Sequence, residues 1–115
     1  MDQILDQLSR LRGIGGTVLL SPDGLPMASR LRSDVDEDGF AAVVADLLSQ
    51  ARALCERMSL GNAGMLHAQS EEGGLVLMAA GPCYLAIIID PNANLALLQL
   101  ETRPFVDAIA KQLAI

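Results

Sequence analysis

The chain has 115 residues, a formal net charge of −6 and 3% aromatic residues, a length that fits one domain and leaves no room for a second core of useful size. Eight scattered basic residues and no Trp provide neither the positive field nor the stacking platforms that nucleic acids require, so nucleic acid is excluded as a partner. The longest apolar runs, Leu75 to Ala80 and Tyr84 to Ile89, fall far short of the ~20 residues that cross a bilayer, the first twenty residues lack a basic stretch followed by an apolar one, and Cys55 and Cys83 form no disulfide framework; a cytoplasmic chain without membrane insertion is expected.

Ile4, Leu5, Leu8 and Leu11 recur at helical spacing opposite Asp2, Gln3, Asp6 and Gln7, which predicts an amphipathic helix over residues 2–11. Gly13, Gly15 and Gly16 then make a tight helix-to-strand turn. Thr17 to Ser21 reads as a strand that turns at Ser21-Pro22-Asp23-Gly24, and Leu25 to Leu31 as the returning arm of a hairpin. Pro26 cannot donate to a ladder on both sides, which puts that arm at a sheet edge. The acidic stretch Ser33 to Asp38 favours the start of a helix running from Gly39 to Leu60. Gly61, Asn62 and Gly64 end it.

Met65 to Ser70, Leu75 to Gly81 and Cys83 to Asp90 read as three strands, separated by turns at Glu71-Glu72-Gly73-Gly74 and Gly81-Pro82. The last two are apolar at nearly every position, so helices should cover both faces of the sheet. A final helical pattern spans Leu95 to Leu113, with a kink or restart expected at Pro104.

The motifs that carry chemistry are weak. Asp34, Asp36, Asp38 and Gly39 match the first half of a calcium loop, but the twelfth position, which should supply a bidentate Glu, is Ala45. The glycines at 13, 15 and 16 precede a strand, the reverse of the order in which a phosphate meets a helix N-terminus. His67 is the chain's one histidine, and no nucleophile signature accompanies it. The inventory is that of a binding module, with no catalytic residue, no metal and no cofactor expected.

The second helix is unusual. At ~100° per residue, Phe40, Val43, Val44, Leu47, Ala51, Leu54, Cys55 and Met58 form one broad face suited to cover a sheet. Ala42, Ala45, Ser49 and Ala53 line the opposite face, flanked by Asp46, Arg52, Glu56 and Arg57. Small side chains there would let a second helix approach closely; the alternative is that the alanines serve helix propensity alone.

The hairpin from Gly16 to Leu31, the acidic lead into an Ala-rich helix from Asp34 to Ala53, and the segment Asp90 to Glu101 together resemble the roadblock/dynein light chain family, including its bacterial MglB-like members. The resemblance spans nearly the whole chain, taken as one unit over residues 1–115. It implies an α+β fold of roadblock/longin type: a five-stranded antiparallel sheet between one long helix and two terminal helices, in the order α-β-β-α-β-β-β-α. An unbroken final helix is part of that pattern, from which Pro104 departs.

The resemblance further implies a homodimer, or a heterodimer with a paralogue, that pairs third strands edge to edge through Met65, His67 and Gln69 and packs second helices together. Symmetry about Ser49 would set Ala45 against Ala53 of the second copy, and Asp46 against its Arg52. The implied partner is a small Ras-like GTPase, one per dimer, meeting Asp46, Gln50, Glu56 and Arg57. On this reading the protein regulates the GTPase, or activates its hydrolysis, without contributing a catalytic residue. Two alternatives stay open: a ligand-sensing domain of the PAS or GAF type, against which the aromatic-poor composition argues, and a pure heterodimeric scaffold.

Overall fold

Strands built from Val, Leu, Ile and Ala form one antiparallel sheet in the order β2-β1-β5-β4-β3. The computed structural model describes residues 1–113; Ala114 and Ile115, the end of the expected unit, lie outside the described residues. β1 (Ile14–Leu20) lies between β2 (Pro26–Arg30) and β5 (Cys83–Ile89), while β4 (Gly73–Ala80) joins β5 to β3 (Met65–Ser70). The helices are α1 (Asp2–Ser9), α2 (Glu37–Arg57) and α3 (Leu95–Leu113), in the expected order.

The alternation of strand side chains divides the core in two. Leu19, Val76, Leu85 and Ile87 pack on one face with Leu5 and Leu8 of α1 and with Leu98, Val106 and Ile109 of α3. Val18, Leu20, Leu77 and Ala86 pack on the other with Ala41, Val44 and Leu48 of α2. Full burial of each such Leu or Ile contributes roughly 1.5–3 kcal/mol, so β4 and β5 are apolar at nearly every position, with Tyr84 the polar exception at the α2 flank. Their near-continuous apolar sequence follows from this.

Pro26 does lie on an edge strand, and β2 is further irregular there: Leu19 pairs with Ala28 and Leu20 with Pro26, so Met27 is bulged out of the ladder. Two expectations are corrected. The glycines after α1 do not all turn; Gly13 does, with φ +94°, whereas Gly15 and Gly16 are already in β1. A Cβ on Gly16 would stand 2.9 Å from Leu31 Cδ2, so close packing accounts for the residue type. Nor does Pro104 interrupt α3, which runs unbroken from Leu95 to Leu113. Pro104 and Leu100, whose carbonyl loses its donor, are both exposed, and water can satisfy that carbonyl.

Candidate protein-interaction surface

The functional question turns on the roll of α2. Ala41, Val44 and Leu48 are its buried residues, while Val43, Leu54 and Met58, expected against the sheet, are 63%, 59% and 62% exposed. The helix is thus rotated by roughly 60° from the orientation its bulkier apolar residues suggest. Its apolar arc is wider than the sheet can cover, and two contacts on the opposite flank select which part is buried. A Cβ on Gly24, in the β1–β2 turn, would stand 2.5 Å from Ala45 Cβ. About two helical turns further on, the Arg52 guanidinium lies 4.7 Å from the centre of the Tyr84 ring, and its Nε is 3.3 Å from the Tyr84 hydroxyl.

These contacts reposition the residues expected at a helix–helix seam. Ala45 is half-buried against the hairpin turn, and Arg52, though exposed, already has Tyr84 of its own chain as a partner. Ala42, Ser49 and Ala53 are exposed but lie on the flank turned away from the apolar row. Among the expected partner-binding residues, Asp46, Gln50 and Arg57 face outward together, and Gln50 Nε2 donates to Asp46 Oδ2 at 3.2 Å. Glu56 lies apart from them, beside Arg52, Cys55 and Tyr84 in a shallow cavity of about 560 Å³.

The residues that periodicity misplaced are Val43, Leu54 and Met58, which are exposed and form a row with the half-buried Leu47. Phe40, on the same flank, shares a groove with Ala68 of β3 and Leu75 of β4, which shows that this flank faces the β3 edge. Among the described residues that edge is open: β3 pairs only with β4, and Met65 to Ser70 carries no acidic or Lys/Arg side chain and no proline to blunt it. The β2 edge is instead defended by Pro26, its bulge, and Arg30, which is ion-paired with Asp6 and Asp2 of α1. On β3, Met65 and Gln69 are exposed. His67 lies opposite Val76, and among the described residues its enclosed Nε2 has no hydrogen-bond partner. Met65 Sδ accepts a weak hydrogen bond from Gln99 Nε2 of α3 at 3.5 Å.

Little here could do covalent chemistry. Cys83 is buried, and loss of solvation pushes its thiol above the usual range, which disfavours the nucleophilic thiolate. Among the described residues no three His, Cys, Asp or Glu side chains converge to hold a metal ion, and no helix is long and apolar enough to cross a membrane. The acidic stretch that matches half a calcium loop leads directly into α2, with Glu37 and Asp38 in its first turn, where the helix dipole favours them.

The sequence profile of the Roadblock/LC7 domain matches residues 1–89, from α1 through β5. The chain belongs to the Roadblock/LC7 domain family. Among relatives, an uncharacterized protein of Methanocaldococcus jannaschii, MJ0310, is 26% identical over 109 residues, covering 95% of this chain and 96% of its own. Among solved structures, a Roadblock/LC7 domain from Streptomyces avermitilis superposes with a TM-score of 0.88 at 25% identity, covering 98% and 97% of the two chains. Myxococcus xanthus MglB superposes with a TM-score of 0.89 at 17% identity, covering 96% and 91%. The α+β architecture with helices on both faces of a five-stranded antiparallel sheet is therefore the roadblock/longin fold, and it includes α3, which lies beyond the profile match.

Proposed function

We propose that this Roadblock/LC7 chain, as one unit, forms a cytoplasmic dimer that binds and regulates a small Ras-like GTPase without itself supplying a catalytic residue. The observation that carries the reading is the coincidence, on one side of the fold, of an unpaired strand edge and an exposed apolar helix row. A second copy related by a two-fold axis would satisfy both at once. Antiparallel pairing of β3 about His67 sets Met65 opposite Gln69 of the second copy. On the neighbouring layer, antiparallel α2 helices set Val43 beside Leu54 of the second copy and Phe40 beside its Met58, with Leu47 near the axis.

This arrangement keeps the crossing point near Ser49 but turns the apolar flank of α2, rather than its small-residue strip, to the second copy. It leaves Asp46, Gln50 and Arg57 of both protomers outward as a composite surface on which one GTPase per dimer would sit, with Glu56 at its margin. Regulation would then work by remodelling the bound GTPase. The PAS or GAF alternative loses support in the core: the space enclosed by Ile14, Val76, Leu98 and Thr102 is about 10 Å³, no more than about one water. A heterodimer with a paralogue would use the same surface as the homodimer.

Tagged protein recovered from its own cells in the presence of a non-hydrolysable GTP analogue should retain a Ras-like GTPase, identified by mass spectrometry. Hydrolysis by that purified GTPase should change when the protein is added. Recovery with no such GTPase under either GTP-analogue or GDP conditions would contradict the proposal, and a bound GTPase with unaltered hydrolysis would reduce it to scaffolding.

A further inference from the structure

His67 stands in the middle of the β3 edge, half-buried, on the face of the sheet that α3 covers. It lies opposite Val76, and Gln99 of α3 reaches Met65, two residues before it on the same face. The side chains on this side of β3, β4 and α3 are Met65, Gln69, Val76, Met78, Leu95 and Gln99, and none of them is charged or titratable. The charged residues of these elements and the turn between the strands lie elsewhere: Glu71 and Glu72 are exposed in the β3–β4 turn, Arg103, Asp107 and Lys111 are exposed on α3, and Glu101 borders Arg12.

Nε2 of the ring is enclosed and, among the described residues, has no hydrogen-bond partner. A neutral imidazole can occupy that position with its proton on Nδ1. An imidazolium cannot do so without cost, because its second N–H and its charge would be shut away from water and from any acceptor. Protonation therefore favours a ring turned out over the strand edge. In a dimer paired about His67 that exit is closed, and the two imidazoles stand across the axis with Cβ atoms about 5 Å apart, where like charges oppose each other. The proton and the second copy compete for one edge.

We infer that His67 makes this dimer pH-sensitive: protonation of the imidazole releases the β3 edge, and the two copies part. The inference rests on the dimer proposed above. Imidazole is the side chain whose charge ordinarily changes between about pH 5 and 8, and the chain has one histidine, so a single group in each copy carries the response. Uptake of two protons per dimer sets the ceiling, a rise in dissociation constant of about a hundredfold per pH unit.

Sedimentation equilibrium of the full chain from about pH 7.5 to about pH 5.5, on wild type and His67→Gln, tests this. The wild-type dissociation constant should rise about tenfold or more over that range, and that of His67→Gln should stay level. Circular dichroism at each pH checks that the fold persists. A second measurement needs no variant: the Cε1 proton of the lone histidine gives one resonance, followed by NMR at protein concentrations well below and well above the dissociation constant. Its titration midpoint should lie at higher pH in the dilute sample, because the free edge takes up the proton more readily. A wild-type monomer at every pH would remove the dimer itself. A dimer whose dissociation constant ignores pH would leave the dimer standing and overturn this inference alone. An equal rise in His67→Gln would assign the response to carboxylates and overturn it too, as would a midpoint that does not move with concentration.

Discussion

Gly24 of the β1–β2 turn lies against Ala45 of α2 so closely that a Cβ added to the glycine would stand 2.5 Å from that of the alanine. The contact joins a turn to a helix across the sheet edge and sets the roll of α2. Enlarging Ala45 must therefore push the helix off its core face. Ala45→Leu should destabilise the fold by about 1–3 kcal/mol in urea denaturation, while Ala42→Leu and Ala53→Leu, both exposed, should stay within about 0.5 kcal/mol.

Ser59 supplies the left-handed residue at the end of α2, with φ +56°. The Leu60 N–H donates to the Cys55 carbonyl at 2.8 Å and the Ser59 N–H to that of Glu56 at 3.2 Å, the paired closure of a Schellman motif. A glycine meets that geometry without the steric cost of a Cβ. Ser59→Gly should raise stability by about 0.5–1 kcal/mol, read as a higher denaturation midpoint with an unchanged slope.

Asp6 and Arg30 tie α1 to the edge strand β2. The hydrogen bond from Arg30 holds the Asp6 carboxyl below its ordinary value of 3.8. The ionised form is thus favoured in the folded chain, so the pair adds stability above that value and loses it as pH falls through the lowered one. Acid titration of stability should show a component lost below about pH 4 in wild type and absent in Asp6→Asn. Both side chains are partly exposed, so the component should be small and should shrink with salt.

Much of this architecture is legible in the chain itself. Met65–Ser70 begins and ends where its flanking glycines and acidic turn predict, and the unbroken apolar runs of β4 and β5 announce helices on both faces. What stays hidden depends on long-range partners. The arc from Val43 through Leu48 is apolar across more of α2 than one sheet face can bury, so periodicity alone cannot distinguish covered from exposed residues. The deciding contacts, Gly24 with Ala45 and Arg52 with Tyr84, join residues far apart in sequence. The same is true of Gly16, whose place in β1 depends on Leu31. Pro104 reads as a break because the sequence does not show that its side of α3 faces water.

Sedimentation equilibrium on wild type, Leu54→Glu and Ala53→Glu distinguishes a dimer joined through the β3 edge and the apolar flank of α2 from every other arrangement. Leu54 and Ala53 are adjacent and exposed, so neither charge should unfold the chain, but they lie on opposite flanks of the helix. Wild type should sediment with the mass of two chains, Leu54→Glu as a monomer with an unchanged circular dichroism spectrum, and Ala53→Glu as a dimer. A dimeric Leu54→Glu beside a monomeric Ala53→Glu would place the seam on the small-residue strip instead, and a monomeric wild type would contradict the dimer altogether.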